Sequence, residues 1–133
     1  TRGNPLSHLV LRGGKNGPNY KIDDVKKAIE MLEKANVEIK TMIIDCNHGN
    51  SQKDFKKQIE IALYVLKNLY WKLNVIGIMI ESNLKEGKQD FDPEKDDKEK
   101  LEYGKSITDP CLGWNDTEAL LIEIDKMLDK GTI

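Results

Sequence analysis

Four apolar runs, each ending on a polar or charged residue, constrain this chain most. Leu6–Leu11 (LSHLVL) leads into Arg12-Gly13-Gly14. Thr41–Ile44 (TMII) leads into Asp45-Cys46-Asn47-His48. Val75–Ile80 (VIGIMI) leads into Glu81-Ser82, and the shorter Ser106–Thr108 leads into Asp109. Near-continuous apolar runs suit parallel strands buried on both faces. Helical patterns follow the first, second and fourth. Asp23 or Asp24 is positioned to cap a helix carrying Val25, Ile29, Leu32 and Ala35 on one face. Ser51 with Asp54 resembles a capping box, behind which run Phe55, Ile59, Leu63, Leu66 and Leu73. Asn115 with Glu118 predicts the cap of a last helix, with Leu120, Leu121, Ile124 and Leu128 as its stripe and Gly131 as its stop.

Residues 85–102 break the alternation. They are dominated by Lys, Asp and Glu and contain Pro93, and they read as a solvated, mobile loop. The order is therefore βα, βα, β-loop, βα, which predicts an α/β fold with a parallel sheet and helices outside. Four such strands leave an inner face and two edges open. A closed eight-stranded barrel would cover them, and this chain supplies half of one. The chain opens on Thr1 without an initiating methionine, which fits a fragment or a processed product.

Composition excludes several classes. The chain of 133 residues is enough for one domain, here a partial one spanning 1–133. Its net charge is −2 with no long basic stretch, so no nucleic-acid surface is expected. No apolar run is long enough to span a membrane. Cys46 and Cys111 do not make a disulfide framework and are read as buried thiols in a reducing, cytoplasmic setting. Tyr103 and Trp114 are read as packing residues.

Four side chains carry the chemistry: Arg12, His48, Glu81 and Asp109. Each follows an apolar run, and successive ones lie roughly 30 residues apart, about one βα unit. In parallel α/β folds the active site lies at the carboxyl ends of the strands. An imidazole and two carboxylates are ligands of the kind that bind Mn²⁺, Fe²⁺, Co²⁺ or Zn²⁺. A guanidinium beside them suits a carboxylate or a phosphate, because its fork donates two hydrogen bonds at once. Each residue also has an ordinary structural explanation. His48 can be a satisfied surface or core histidine, Glu81 an exposed strand end, Asp109 a turn former before Pro110, and Arg12 a solvated loop residue. Taken singly, the structural explanation is the better one; joint placement after successive strands makes the two equal. Gly13-Gly14 can cradle a phosphate, but such a pair more often makes a turn.

Longer strings sharpen this. Gly3-Asn4-Pro5 with His8, Leu11-Arg12-Gly13-Gly14 and Pro18-Asn19-Tyr20 form the first. Asp45-Cys46-Asn47-His48-Gly49-Asn50-Ser51 with Lys53 and Gln58 form the second. The third is Gly77-Ile78-Met79-Ile80-Glu81-Ser82 with Leu84, Glu86, Gly87 and Gln89. The fourth is Tyr103-Gly104-Lys105-Ser106-Ile107-Thr108-Asp109 with Cys111 and Trp114. Together they resemble the type I 3-deoxy-7-phosphoheptulonate (DAHP) synthases, over nearly the whole chain. The resemblance implies the C-terminal half, about strands 5–8, of a (β/α)8 TIM-type barrel. It implies that His48, Glu81 and Asp109 bind a divalent metal ion (Mn, Fe, Co or Zn), with a fourth ligand, a cysteine, from an early strand outside this chain. Neither Cys46 nor Cys111 matches that cysteine. It further implies that Arg12 binds the phosphate of phosphoenolpyruvate and that His48 and Arg12 are catalytic. The reaction implied joins phosphoenolpyruvate to erythrose 4-phosphate at the entry to the shikimate pathway, in a cytoplasmic homo-oligomer. The 133-residue chain alone is then expected to be inactive. The alternatives are a related phosphoenolpyruvate–sugar phosphate synthase and a non-catalytic half-barrel that self-associates through its strand edges. Cys46, Asn47 and Gly49 depart from the family's usual residues, an aromatic, a Ser and an Ala.

Overall fold

The computed structural model describes residues 2–4, 6–70 and 72–129; Pro5 and Gly131, both read above, lie outside the described residues. Three strands form one parallel sheet in the order β1 (Leu9–Leu11), β2 (Met42–Asp45), β3 (Val75–Met79). Helix α1 (Ile22–Lys34) joins β1 to β2. The four-residue α2 (His48–Ser51) and the longer α3 (Lys57–Asn68) join β2 to β3, and α4 (Trp114–Asp129) closes the described chain. The register aligns Leu11 with Ile44 and Ile44 with Ile78. An irregularity between Met42 and Ile43 inserts Ile76 into β3.

The core lies between one sheet face and the helices. Leu11, Met42, Ile44 and Val75 meet Val25 and Ala28 of α1, Ile61, Ala62 and Val65 of α3, and Leu120 of α4. Met42, Ile44 and Val75 are fully buried, each contributing roughly 1.5–3 kcal/mol by leaving water. Burial on both faces was expected, but the strands are covered on one. Val10 and Ile76 remain 36% exposed and Met79 40%, because the helices of this chain pack on a single face.

Several expectations change. The fourth strand does not form at Ser106–Thr108. Ser106 makes one isolated bridge to Lys88; just past β3 it is Leu112 that pairs with Ser82, while Cys111 pairs antiparallel with Gly87. Leu112 donates to the Glu81 carbonyl and accepts from the Asn83 amide, extending the parallel pattern by one bridge. Asp109 therefore sits in the loop before this pairing, not at the end of a strand. Ser51 does not cap α3; its hydroxyl turns back to Asn47 Oδ1 and the His48 carbonyl. Asn115 lies inside α4, which starts at Trp114. The buried face of α3 is Gln58, Ile61, Ala62, Val65 and Leu66, rotated from the predicted stripe. Asp24 does serve α1, accepting from the Lys21 amide. Tyr103 (85% exposed) and Trp114 (49%) are on the surface. After β3 the only helical piece among the described residues before α4 is a single 3-10 turn, Lys98–Lys100.

Candidate metal centre

The carboxyl ends of β1 and β2 are fastened by asparagines. Asn50, 2% exposed, donates to the carbonyls of Leu11 and Asp45 at 3.0 and 2.8 Å. Its Oδ1 accepts from the Asn19 amide at 2.7 Å, and Asn19 Oδ1 accepts from the Gly13 amide at 2.7 Å. These bonds replace the ladder where the strands end. The closeness requires glycine. Gly13 adopts φ +81°, and a Cβ there would lie 2.4 Å from the Gly49 carbonyl carbon. Gly49 in turn donates to the Arg12 carbonyl. Gly14 and Gly17 exchange backbone hydrogen bonds, so Gly13-Gly14 opens a tight turn.

The β2 end delivers His48. Asp45, 2% exposed, accepts from the Asn47 amide on Oδ1 and faces His48 Nδ1 with Oδ2 at 2.8 Å. That pairing assigns the Nδ1 proton, since a carboxylate only accepts. His48 itself is held at φ +45°, a region histidine visits more readily than most residues. Its Nε2 then points at Glu81 Oε1 (3.4 Å) and Asp109 Oδ2 (3.5 Å).

Glu81 is fixed by two side chains, Gln58 and Asn47. Gln58, fully buried, receives the Glu81 amide and donates to the Glu81 carbonyl, as a neighbouring strand would. Asn47 Nδ2 takes Glu81 Oε2 at 2.7 Å, leaving Oε1 free toward His48. Asp109 is the most open of the three, with its side chain 58% exposed.

A cation fits this donor set. The ligand atoms of His48, Glu81 and Asp109 lie within 4.8 Å of one another. Separations of 3.4 and 3.5 Å are long for hydrogen bonds. They match the edge of a tetrahedron about a metal with ligands at about 2.1 Å, roughly 3.4 Å. The Asp45–His48 pairing is the carboxylate–histidine arrangement that orients a metal-bound imidazole.

The cysteines are not poised as ligands. Burial first, and the Asp45 charge second, push the Cys46 thiol up to about 12. Burial likewise raises Cys111, with the charges of Glu81 and Asp109 acting the same way against a hydrogen bond with Ser106. Both remain free thiols.

Of the four predicted site residues, three converge. Arg12 sits at the same end of the sheet by its backbone, but its exposed guanidinium makes no hydrogen bond or ion pair among the described residues. Asp45, Asn50 and Gln58 carry no site role in the sequence pattern, and Asn47 stands out there only as a departure beside His48. Their signal is a run of short polar residues directly after an apolar strand, where water would otherwise satisfy the strand end.

Comparison with known proteins agrees with the motifs. Over 125 residues the chain is 46% identical to the phenylalanine-inhibited phospho-2-dehydro-3-deoxyheptonate aldolase of Saccharomyces cerevisiae, covering 91% of this chain and 34% of that protein. It is 40% identical over 130 residues to the Tyr-sensitive phospho-2-dehydro-3-deoxyheptonate aldolase of Escherichia coli, covering 97% of this chain and 35% of that protein. The solved phospho-2-dehydro-3-deoxyheptonate aldolase of Francisella tularensis superposes with a TM-score of 0.81 at 39% identity, over 95% of this chain and 35% of that one. The chain thus spans about a third of the length of these relatives. The sequence pattern of the DAHP synthetase I family matches residues 1–122, and the chain belongs to that family.

Proposed function

We propose that the intact protein condenses phosphoenolpyruvate with erythrose 4-phosphate and water, giving 3-deoxy-D-arabino-heptulosonate 7-phosphate and phosphate. The observation that carries the reading is the aim of His48. Its Nδ1 faces Asp45, which turns Nε2 toward two carboxylate oxygens at 3.4 and 3.5 Å. An imidazole nitrogen and two carboxylate oxygens converging on one point are a donor set suited to a divalent cation. His48, Glu81 and Asp109 hold that divalent ion in this reading, together with a cysteine from outside this chain. The three strands are read as part of a (β/α)8 barrel, about strands 5–8. The open sheet face and the similarity to the Francisella tularensis aldolase support this. The expected homo-oligomer and cytoplasmic setting belong to the same reading.

In the reaction, C3 of phosphoenolpyruvate bonds to the aldehyde carbon of the sugar phosphate, water adds at C2, and phosphate leaves by C–O cleavage. A bound divalent ion supplies Lewis acidity toward the aldehyde oxygen or the water. Arg12, exposed just past the end of β1, neutralises the phosphate of phosphoenolpyruvate and fixes its pose in this reading. Asp45 keeps the His48 ring in one tautomer, and Asn47 keeps one Glu81 oxygen turned inward.

His48→Ala in the intact protein is expected to remove both bound metal and synthase activity, measured by metal analysis after gel filtration and by phosphate release. Retained metal and turnover would remove His48 from the site.

A further inference from the structure

We infer that Asn47 is a positioning residue that sets the shape of the cation pocket through all three of its ligand-bearing segments. The inference rests on the metal reading above. Asn47 is 2% exposed and is not itself a candidate ligand. Its Nδ2 donates to Glu81 Oε2 at 2.7 Å and to the carbonyl of Pro110, the residue after Asp109, at 3.4 Å. Its backbone amide donates to Asp45 Oδ1 at 2.9 Å, while the other oxygen of that carboxylate meets His48 Nδ1. Its Oδ1 accepts from Ser51 Oγ at 3.1 Å. The Glu81 and Pro110 contacts fix the amide orientation: turned over, the side chain would set an oxygen against a carboxylate and a carbonyl.

The consequence is geometric. With Oε2 engaged, Glu81 offers only Oε1 to the pocket. The Asp109–Pro110 segment, which has no strand of its own, is tied to the end of β2 through the same amide nitrogen. Shortening the side chain removes both ties. A leucine of similar volume offers no donor to Glu81 Oε2 or to the Pro110 carbonyl. Outer partners of this type change metal affinity by 10–100-fold.

The test is Co²⁺ titration of the intact, metal-stripped protein followed by visible d–d absorption, which reports ligand geometry. Asn47→Ala is expected to weaken Co²⁺ binding 10–100-fold and to change the absorption band. In a Glu81→Ala background the same substitution should lose most of that effect. If Asn47→Ala does not fold, Asn47→Leu, which keeps the volume without the donor, carries the same expectation. Affinity within about twofold of the parent with an unchanged band, or an equal loss in the Glu81→Ala background, overturns the role. Failure of both variants to fold overturns it too, by making Asn47 a requirement of the fold. The controls separate the two claims. Parent protein that binds no Co²⁺, or binding unaffected by His48→Ala, sinks the metal reading itself. Binding lost in His48→Ala but intact in the Asn47 variants sinks only the positioning role.

Discussion

Two polar stretches of this chain behave in opposite ways. Residues 45–51 hold six polar or small residues, and of these Asp45, Asn47, Asn50 and Ser51 are buried. Their hydrogen bonds reach far along the chain, from Asn50 to Leu11, from Asn47 to Glu81 and Pro110, and onward from Asn50 to Asn19. Residues 85–102 are far more charged, and their side-chain pairs lie at the surface: Lys95 with Asp92, Lys85 with Glu102, and Glu86 with Lys56, while the backbone of Gly87 and Gln89 is held by Cys111 and Ser106. Asp92 and Glu102 are both lowered in pKa by hydrogen bonds from lysines at the surface. Exposed pairs of this kind contribute little. Buried polar groups cost free energy unless every one is satisfied, and among the described residues no buried side-chain nitrogen or oxygen lacks a partner. Charge density therefore does not mark the organised region; burial with long-range bonding does.

The steepest test of this contrast is backbone proximity. Gly13→Ala would press a Cβ to 2.4 Å from the Gly49 backbone at φ +81°. A strained φ alone costs of order 1–3 kcal/mol, and the clash adds to it, so the variant is expected to lose soluble protein or melt far lower. Gly49→Ala meets the Arg12 carbonyl at 3.0 Å, and a shift of a few tenths of an ångström relieves it, so a milder loss is expected. An unchanged melting curve for Gly13→Ala would break the account of the β1–β2 junction.

Next in size is Asn50→Ala. It deletes two donated bonds and one accepted bond at a buried site, leaving the Leu11 and Asp45 carbonyls to find new partners. At about 1–3 kcal/mol for each group left unsatisfied, chemical denaturation should show a loss of several kcal/mol. A loss below about 1 kcal/mol would mean that water replaces the side chain freely.

The smallest effect belongs to the charged loop. Lys95→Ala, which removes the ion pair with Asp92, is expected to leave both the melting temperature and metal affinity unchanged. A clear change in either would show that 85–102 is tied to the site more firmly than its surface pairs suggest.

The contrast also explains what could be read in advance. The strands at Leu9–Leu11, Met42–Asp45 and Val75–Met79 announce themselves as apolar runs, and the metal-ligand candidates stand just beyond them. The Leu112–Ser82 bridge is too short for periodicity to reveal, and the sequence pattern instead points to Ser106–Thr108 as a fourth strand. Gln58 broke the stripe of α3 because it closes the backbone of Glu81, and a glutamine in a helix ordinarily reads as solvent-facing. Ser51 had the spacing of a cap but spends its hydroxyl on Asn47 and His48. These residues answer to partners more than 20 positions away or to a buried loop, which local pattern does not encode.

The central claim is tested most directly by anomalous diffraction from crystals of the intact protein grown with Mn²⁺. The account predicts one strong peak about 2.0–2.2 Å from His48 Nε2 and from an oxygen of each of Glu81 and Asp109, with Asp45 still on His48 Nδ1. A fully occupied manganese elsewhere, with His48 hydrogen-bonded directly to Glu81 or Asp109, would contradict it.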